Sequence, residues 1–213
     1  MEPLVIAVDS STTATKALVV DTEGVVVSSG RAEIALLTPG IDMYEQDPAD
    51  WWRSTDEAVR EAVAGLSVAD RARVAAICIT PQRQSFALVD ADGVAVRPGI
   101  LWLDSRASVE AAELGDESVH AESGFQPDVT PSLYKIAWLS RHEPAAVSSA
   151  ARITGVHGYL VHALTGQWRD SAATADSLGL YDMASLTFSP RLVGLAGLRE
   201  DQLPELVPPG SSM

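Results

Sequence analysis

The sequence predicts an α/β domain in which a mixed β-sheet is flanked by helices. Three observations carry this expectation. Short apolar runs alternate with segments of helical periodicity. Two pairs of runs are joined by four-residue turns with Asp first and Gly fourth, which suits tight antiparallel hairpins. One run, Val74–Ile79, is unbroken and flanked by charge and proline, as a buried central strand would be. Hairpins mixed with helices favour a mixed sheet over a purely parallel one.

The elements follow in order. Leu4–Val8 and Lys16–Val20 are apolar runs, and Val25–Ser29 alternates after the turn Asp21-Thr22-Glu23-Gly24. Asp47-Pro48-Ala49-Asp50 starts a helix, with Asp as N-cap, Pro in the first turn and a second acid near the positive end of the dipole. Trp52, Val59, Ala62/Val63 and Leu66 then recur at helical spacing, with Thr55 completing the stripe; Asp56, Glu57, Arg60 and Glu61 are expected to face water. Phe86–Val89 and Val94–Leu103 flank the second turn, Asp90-Ala91-Asp92-Gly93. Helices are expected at Ser105–Leu114, at Leu133–Arg141 (stopped by Pro144) and at Gly158–Leu164 (stopped by Gly166). From Ser189 the chain turns amphipathic, then irregular at Pro204, Pro208 and Pro209. No internal repeat or flexible linker is evident.

Composition narrows the function classes. The 213 residues suffice for one domain with a sizeable core, and 46% hydrophobic with 21% charged residues is globular. Fifteen Lys and Arg against 29 Asp and Glu give a formal charge of -14, which repels phosphate backbones and anionic lipid. Neither nucleic acid nor membrane is therefore an expected partner. No apolar run approaches the roughly 18 residues of a membrane span. Met1–Asp9 lacks a basic n-region and a long apolar core, so no secretory signal is visible and a cytoplasmic location is expected. The single cysteine, Cys78, excludes an internal disulfide and a Cys-cluster metal site, and is expected to be a buried, inert thiol. His120, His142, His157 and His162 are scattered, with no zinc-binding spacing. There is no P-loop, no Gly-x-Gly-x-x-Gly and no nucleophile elbow.

Three segments could carry chemistry. In Val8-Asp9-Ser10-Ser11-Thr12-Thr13-Ala14-Thr15-Lys16, an apolar run ends in a carboxylate, passes through a hydroxyl-rich turn and re-enters a strand behind a lysine. Small residues let backbone N–H groups approach phosphate oxygens, hydroxyls can donate to them, Lys16 supplies a point charge, and Asp9 could hold Mg²⁺ through water. The competing reading is a plain Ser/Thr turn capped by Asp9. Thr80-Pro81-Gln82-Arg83-Gln84-Ser85 follows Val74–Ile79, at the kind of strand end where ligands gather. Its Arg and Gln groups suit a polyhydroxyl ligand, and its competing reading is a polar surface loop. In Leu101-Trp102-Leu103-Asp104-Ser105-Arg106, Trp102 could stack on a sugar while Asp104 accepts hydroxyl protons. Otherwise Trp102 is core, Asp104 or Ser105 caps a helix and Arg106 lies on the surface.

Taken in order, these segments resemble the N-terminal half of the FGGY carbohydrate kinase family, its xylulokinase branch above all. Asp9, Thr12 and Lys16 match the opening Asp-x-Gly-Thr-x-x-x-Lys/Arg, and Glu45-Gln46-Asp47-Pro48-Ala49-Asp50-Trp51-Trp52 matches Glu-Gln-Asp-Pro-x-x-Trp-Trp. Gln82, Arg83 and Gln84 fall on the Gly/Asn-Gln-x-x loop, and Ile100 to Arg106 on Ile-Leu-Trp-x-Asp-x-Arg. Lys135-Ile136-Ala137-Trp138, Arg141-His142-Glu143-Pro144 and Asp176-Ser177-Leu178-Gly179 are similar to later family segments. The resemblance implies the actin/hexokinase-like (ribonuclease H-like) fold, with residues 1–213 as one, N-terminal, domain of an expected two. It implies transfer of the γ-phosphoryl of Mg·ATP to a sugar hydroxyl, Asp9 belonging with the magnesium and Thr12, Thr13 and Lys16 with the phosphates. Gln82, Arg83, Gln84, Trp102 and Asp104 fall on or beside sugar-contact positions.

Two departures stand out. Ser11 replaces the glycine expected after Asp9, which demands a turn tolerant of a Cβ. Arg83-Gln84 stands where xylulokinases place Met-His and glycerol kinases Arg-Glu, so a ketopentose such as xylulose, glycerol and other polyols all stay open as substrates. The family's base is an Asp beyond the Pro204–Pro209 stretch, and neither Asp104 nor Asp176 stands at its position. Residues 1–213 are therefore expected to lack the base and the C-terminal adenosine-binding domain, to be catalytically silent alone, and to expose an apolar face favouring self-association, as a homodimer for example. A non-catalytic sugar-binding module is the alternative.

Overall fold

The structure, a computed structural model, describes residues 2–213. In chain order it contains β1 (Leu4–Ser10), β2 (Ala14–Val20), β3 (Val26–Glu33), β4 (Glu45–Gln46), α1 (Pro48–Ala64), α2 (Val68–Arg71) and β5 (Val74–Pro81). Then come β6 (Phe86–Val89), β7 (Gly99–Ile100), α3 (Ser108–Leu114), α4 (Glu117–Ser123), α5 (Ser132–His142) and α6 (Pro144–Ser149). The chain ends with β8 (Arg152–Gly155), α7 (Val156–Thr165), β9 (Arg169–Ser171), α8 (Ala172–Ala175), β10 (Tyr181–Asp182), β11 (Thr187–Phe188), α9 (Pro190–Leu195) and β12 (Glu205–Val207). These elements form two compact units, residues 1–36 with 49–82 and residues 37–48 with 83–213.

The first unit is a four-stranded mixed sheet ordered β3-β2-β1-β5, antiparallel except for the parallel pair β1 and β5. Strand alternation sends Leu4, Ile6 and Val8 of β1 and Ala17 and Val19 of β2 into a core shared with Ala58 and Ala62 of α1 and with Leu66 just past its end. The buried stripe of α1 is Trp51, Ser54, Thr55, Ala58 and Ala62, continued by Leu66 beyond the helix end, so it includes Trp51 and Ala58 where the periodicity pointed to Trp52 and Val59. The cause is a close approach: a Cβ on Gly30 of β3 would lie 2.1 Å from the Ala58 carbonyl oxygen, so only small residues of α1 fit against it. The charged face behaves as expected, with Arg53 paired to Asp50 and Glu57, and Arg60 to Asp56.

Two expectations fail at β5. It is an edge strand paired only with β1, and Ala75 to Cys78 are exposed, so it is not the buried central strand that its apolar run suggested. Cys78 is accordingly an exposed thiol and not a buried one. An apolar run specifies apolar side chains, not which layer covers them.

A four-residue strand buried throughout is β6, in the second unit. Its sheet is antiparallel and ordered β4-β7-β6-β8. Phe86, Leu88, Ile100 and Ile153 pack with Leu133, Ile136 and Leu139 of α5 and Leu192 of α9 in a separate core. The expected strand Val94–Leu103 contracts to β7, preceded by a single bridge from Val89 to Ala95. The Ser105–Leu114 helix begins three residues later, at Ser108. Pro144 ends one helix and starts the next, as proline at a first helical position can. Both Asp-Gly turns form alike. Asp21 Oδ1 accepts the Val25 N–H at 2.8 Å and Asp90 Oδ1 that of Val94 at 2.9 Å, while Gly24 and Gly93 take φ of 82° and 80°. Among the described residues no helix is long and apolar enough to cross a membrane.

Gly30→Ala is expected to destabilise the chain by roughly 1–3 kcal/mol through overpacking, whereas Gly194→Ala, which meets nothing within 4 Å, is expected to be neutral or stabilising. Urea denaturation of both variants checks this. The unpaired edge of β5 predicts concentration-dependent self-association. Sedimentation of the wild type against Ile77→Lys measures it, with the lysine expected to shift the equilibrium toward monomer; identical profiles would exclude this edge as the contact.

Candidate functional site

In the first unit the hydroxyl-rich turn is a tight connection between β1 and β2. The Ser11 N–H donates to the Ala14 carbonyl (3.1 Å), leaving Thr12 and Thr13 at the tip. Ser11 lies outside the left-handed region, so the turn accepts a Cβ where the family pattern has glycine. Its hydroxyl donates to Asp9 Oδ1 at 2.8 Å. Asp9 and Lys16 are direct cross-strand partners, both exposed on the sheet face opposite the core, and Thr80 of β5 is the register partner of Asp9 on its other side. Gln82 belongs to this unit: its N–H donates to the Ser10 carbonyl (2.8 Å), and its Oε1 accepts from the Thr12 hydroxyl (3.3 Å). Carboxylate, ammonium and hydroxyls thus gather at one end of β1. Mg²⁺ retains most of its water and takes one or two carboxylates plus substrate oxygens, and a single exposed Asp9 fits that demand.

Arg83, Gln84, Trp102 and Asp104 lie in the second unit. The Arg83 Nη2 donates to both oxygens of Asp176, at 2.9 and 2.8 Å. Gln84 has φ of 58°, a left-handed conformation uncommon for a residue with a side chain. That turn delivers the buried Ser85, whose hydroxyl accepts the Trp102 N–H at 3.1 Å. On the other side of the same residue, Lys135 Nζ donates to the Trp102 carbonyl (3.4 Å) and to that of Thr130 (2.7 Å). With its backbone held from both sides, the Trp102 side chain is left 42% exposed, not packed in the core. Lys135 is fully buried, and burial pushes its pKa down to about 8 against the opposing pull of Asp104 and Asp128.

Asp104 is fully buried and saturated. Its Oδ1 accepts from the Arg106 N–H (3.0 Å) and Nε (2.9 Å), and its Oδ2 from the Tyr44 N–H (2.7 Å) and Arg106 Nη2 (2.7 Å). Four acceptor sites meet four donors, so this carboxylate shapes the loop and keeps no lone pair for a sugar hydroxyl. Arg106 is not a surface residue: its side chain is 3% exposed, and it also reaches Glu45 (2.8 Å) and lies 5.2 Å from the Trp138 ring centroid. Arg97 joins Glu45 to Glu143. Burial works against the Arg106 charge, but the carboxylates of Asp104 and Glu45 prevail and hold its pKa above the ordinary value.

Several partners were not visible as such in the sequence. Ser85, Lys135 and the clasp of Asp176 on Arg83 emerge only from the fold. So does a buried cluster in which Asp170 Oδ1 lies 2.7 Å from His157 Nδ1 and accepts the Thr174 hydroxyl, also at 2.7 Å. This cluster ties α7 to α8, the helix leading into Asp176.

Asp104→Ala strips the buried Arg106 of its main partner and is expected to cost roughly 3–5 kcal/mol in urea denaturation. Because Lys135 protonates less readily folded than unfolded, the unfolded chain binds more protons between about pH 8 and 10.5. Stability is therefore expected to rise with pH across that window, by about 3 kcal/mol, and the rise to vanish in Lys135→Met. Equal pH slopes for the two proteins would contradict the assignment.

Comparison with known proteins places this geometry. Residues 4–213 match the FGGY family of carbohydrate kinases, N-terminal domain. The chain is 36% identical to a xylulose kinase of Streptomyces rubiginosus and 31% identical to a glycerol kinase of Rhodospirillum centenum. These matches cover 98% and 96% of this chain and 43% of each relative, so the chain spans less than half of their length. The solved xylulose kinase of Rhodospirillum rubrum superposes with a TM-score of 0.91 at 31% identity, over 96% of this chain and 43% of that one. The mixed sheet with flanking helices is thus the actin/hexokinase-like fold of sugar kinases. The ordered motifs, the family match and the superposition agree: this chain belongs to the FGGY family of carbohydrate kinases and corresponds to its N-terminal domain.

Proposed function

We propose that residues 1–213 form the N-terminal, sugar-binding domain of a cytoplasmic, ATP-dependent kinase whose substrate is a ketopentose such as xylulose. The observation that carries this reading is the family match over residues 4–213, and the exposure of Asp9, Thr13, Lys16, Arg83 and Trp102 supports it. Phosphoryl transfer requires positioning, neutralisation of phosphate charge and a carboxylate to receive the hydroxyl proton. Thr12, Thr13 and Lys16 donate to phosphate oxygens at the tip between β1 and β2. Asp9 would hold the hydrated Mg²⁺, which, when bound, neutralises charge developing on the phosphates. Gln82, Arg83 and Gln84 supply hydrogen bonds to sugar hydroxyls, and Trp102 offers an apolar ring to a sugar's C–H face. Asp104 enters as the anchor of the Trp102 loop. The proton acceptor and the adenosine pocket belong to a C-terminal domain outside these residues.

One observation favours a second substrate class. Arg83 takes the place that glycerol kinases give to arginine, and a glycerol kinase is among the relatives above 30% identity. Glycerol or another polyol therefore competes with the ketopentose, and a sugar-binding module without catalysis is the non-enzymatic version of the same site.

The test combines calorimetry with a turnover assay on residues 1–213, using xylulose, ribulose and glycerol. Sugar binding without ATP-dependent phosphorylation is expected, and Trp102→Ala is expected to weaken binding roughly tenfold. Turnover comparable to an intact sugar kinase would refute the division of labour. Absence of binding to every sugar would refute the sugar-binding role.

A further inference from the structure

We propose that Asp176 is a specificity-determining residue: by pairing with Arg83 it tunes the sugar site to uncharged polyhydroxyl ligands and against their carboxylate counterparts. This deepens the sugar-binding reading and rests on it.

Arg83 is the only cation among the residues proposed to contact sugar, and its side chain is 49% exposed. An unpaired guanidinium in such a place would favour an anion, because a planar fork of N–H donors matches a carboxylate. A sugar acid would then outcompete the neutral sugar from which it differs by one oxidised carbon. The structure removes that preference from within. Asp176 takes a single nitrogen, Nη2, with both of its oxygens at 2.9 and 2.8 Å, cancelling the net charge. Among the described residues Nε and Nη1 take no protein acceptor, so Arg83 keeps directional donors for hydroxyl oxygens. The pair is a neutral donor group, not a free cation.

The placement of Asp176 is built. The hydroxyl of Ser171 caps α8 by accepting the Ala173 N–H, and Asp170 holds Thr174 while paired with the buried His157. The Ser177 hydroxyl then donates to the Thr174 carbonyl, and Gly179 ends the segment at φ of 73°. These locks surround Asp176 on both sides in sequence. At 21% exposure its carboxylate is mostly withdrawn from water, which strengthens its hold on Arg83 relative to an open surface pair. Across the contact, the left-handed Gln84 orients the Arg83 segment, with backbone strain typical of a functional constraint.

The experiment compares residues 1–213 as wild type, Asp176→Asn and Arg83→Gln/Asp176→Asn. Calorimetry at pH 7 measures two matched pairs, xylitol with xylonate and glycerol with glycerate. In parallel, arginine-selective labelling with phenylglyoxal, read by peptide mass spectrometry, reports how free the Arg83 guanidinium is. The wild type is expected to prefer the neutral member of each pair. Asp176→Asn is expected to shift the neutral-to-acid ratio roughly tenfold toward the acid and to label Arg83 several-fold faster, and the double variant to lose the gain in acid binding. An unchanged ratio in Asp176→Asn, or equal labelling, overturns the inference even where the wild type binds neutral sugars. If no protein binds any of the four compounds, the sugar-binding reading falls and the specificity role falls with it, while the labelling rates still decide whether Asp176 restrains Arg83.

Discussion

The buried ion network of Asp104, Arg106 and Glu45 is the constraint around which the second unit is arranged. Burying three charges is costly, and it is tolerated here because they are paired: Asp104 receives four hydrogen bonds, two of them from Arg106 side-chain nitrogens and two from backbone N–H groups, and Arg106 also reaches Glu45. What such a network contributes is a single loop geometry more than net stability. It fixes the segment from Leu101 to Ala107 against β4 and sets Arg106 beside Trp138 of α5. Once that loop is pinned, Ser85 and Lys135 hold the Trp102 backbone from two sides, and its side chain stays partly exposed.

Charge works differently at the two candidate clusters. The chain carries -14 overall, yet the segment Asp9–Lys16 itself presents Lys16 and a row of hydroxyls with one carboxylate, Asp9. Binding of phosphate depends on that local balance and not on the average surface. In the second unit the balance is set by pairing: Arg83 is matched by Asp176, and Arg97 and Arg106 by Glu45, Asp104 and Glu143.

Much of the site was legible because its chemistry requires particular residue types at fixed spacing. The Asp9 to Lys16 segment, the Gln82 to Gln84 loop and the Trp102-x-Asp104-x-Arg106 run could each be singled out, and their collinear order carried the family. Their roles were less legible. Asp104 reads in sequence as an acceptor poised beside Trp102, and in the fold its lone pairs are all taken. Arg106 reads as a surface residue and is nearly inaccessible. Lys135 and Glu45 are motif residues whose purpose, holding a loop, appears only when Lys135 meets Trp102, 33 positions away, and Glu45 meets Arg106, 61 positions away. Asp176 lies 93 positions from Arg83, and nothing local to either residue announces the contact.

The sequence by itself determined the local elements: Asp and Gly at fixed places specify the two turns, Pro48 and the stripe after it specify α1, and a continuous apolar run specifies β1. These depend on dihedral preferences and short-range hydrogen bonds, which travel with the residues. Tertiary structure alone decided which apolar strand is covered and which ionisable groups are spent. Val74–Ile79 and Phe86–Val89 are both apolar runs, yet the first forms most of an exposed edge strand and the second is the buried β6. Burial is a property of the neighbours that pack against a segment, and the occupancy of a carboxylate depends on donors delivered from elsewhere in the chain. Neither is encoded in the segment that bears it.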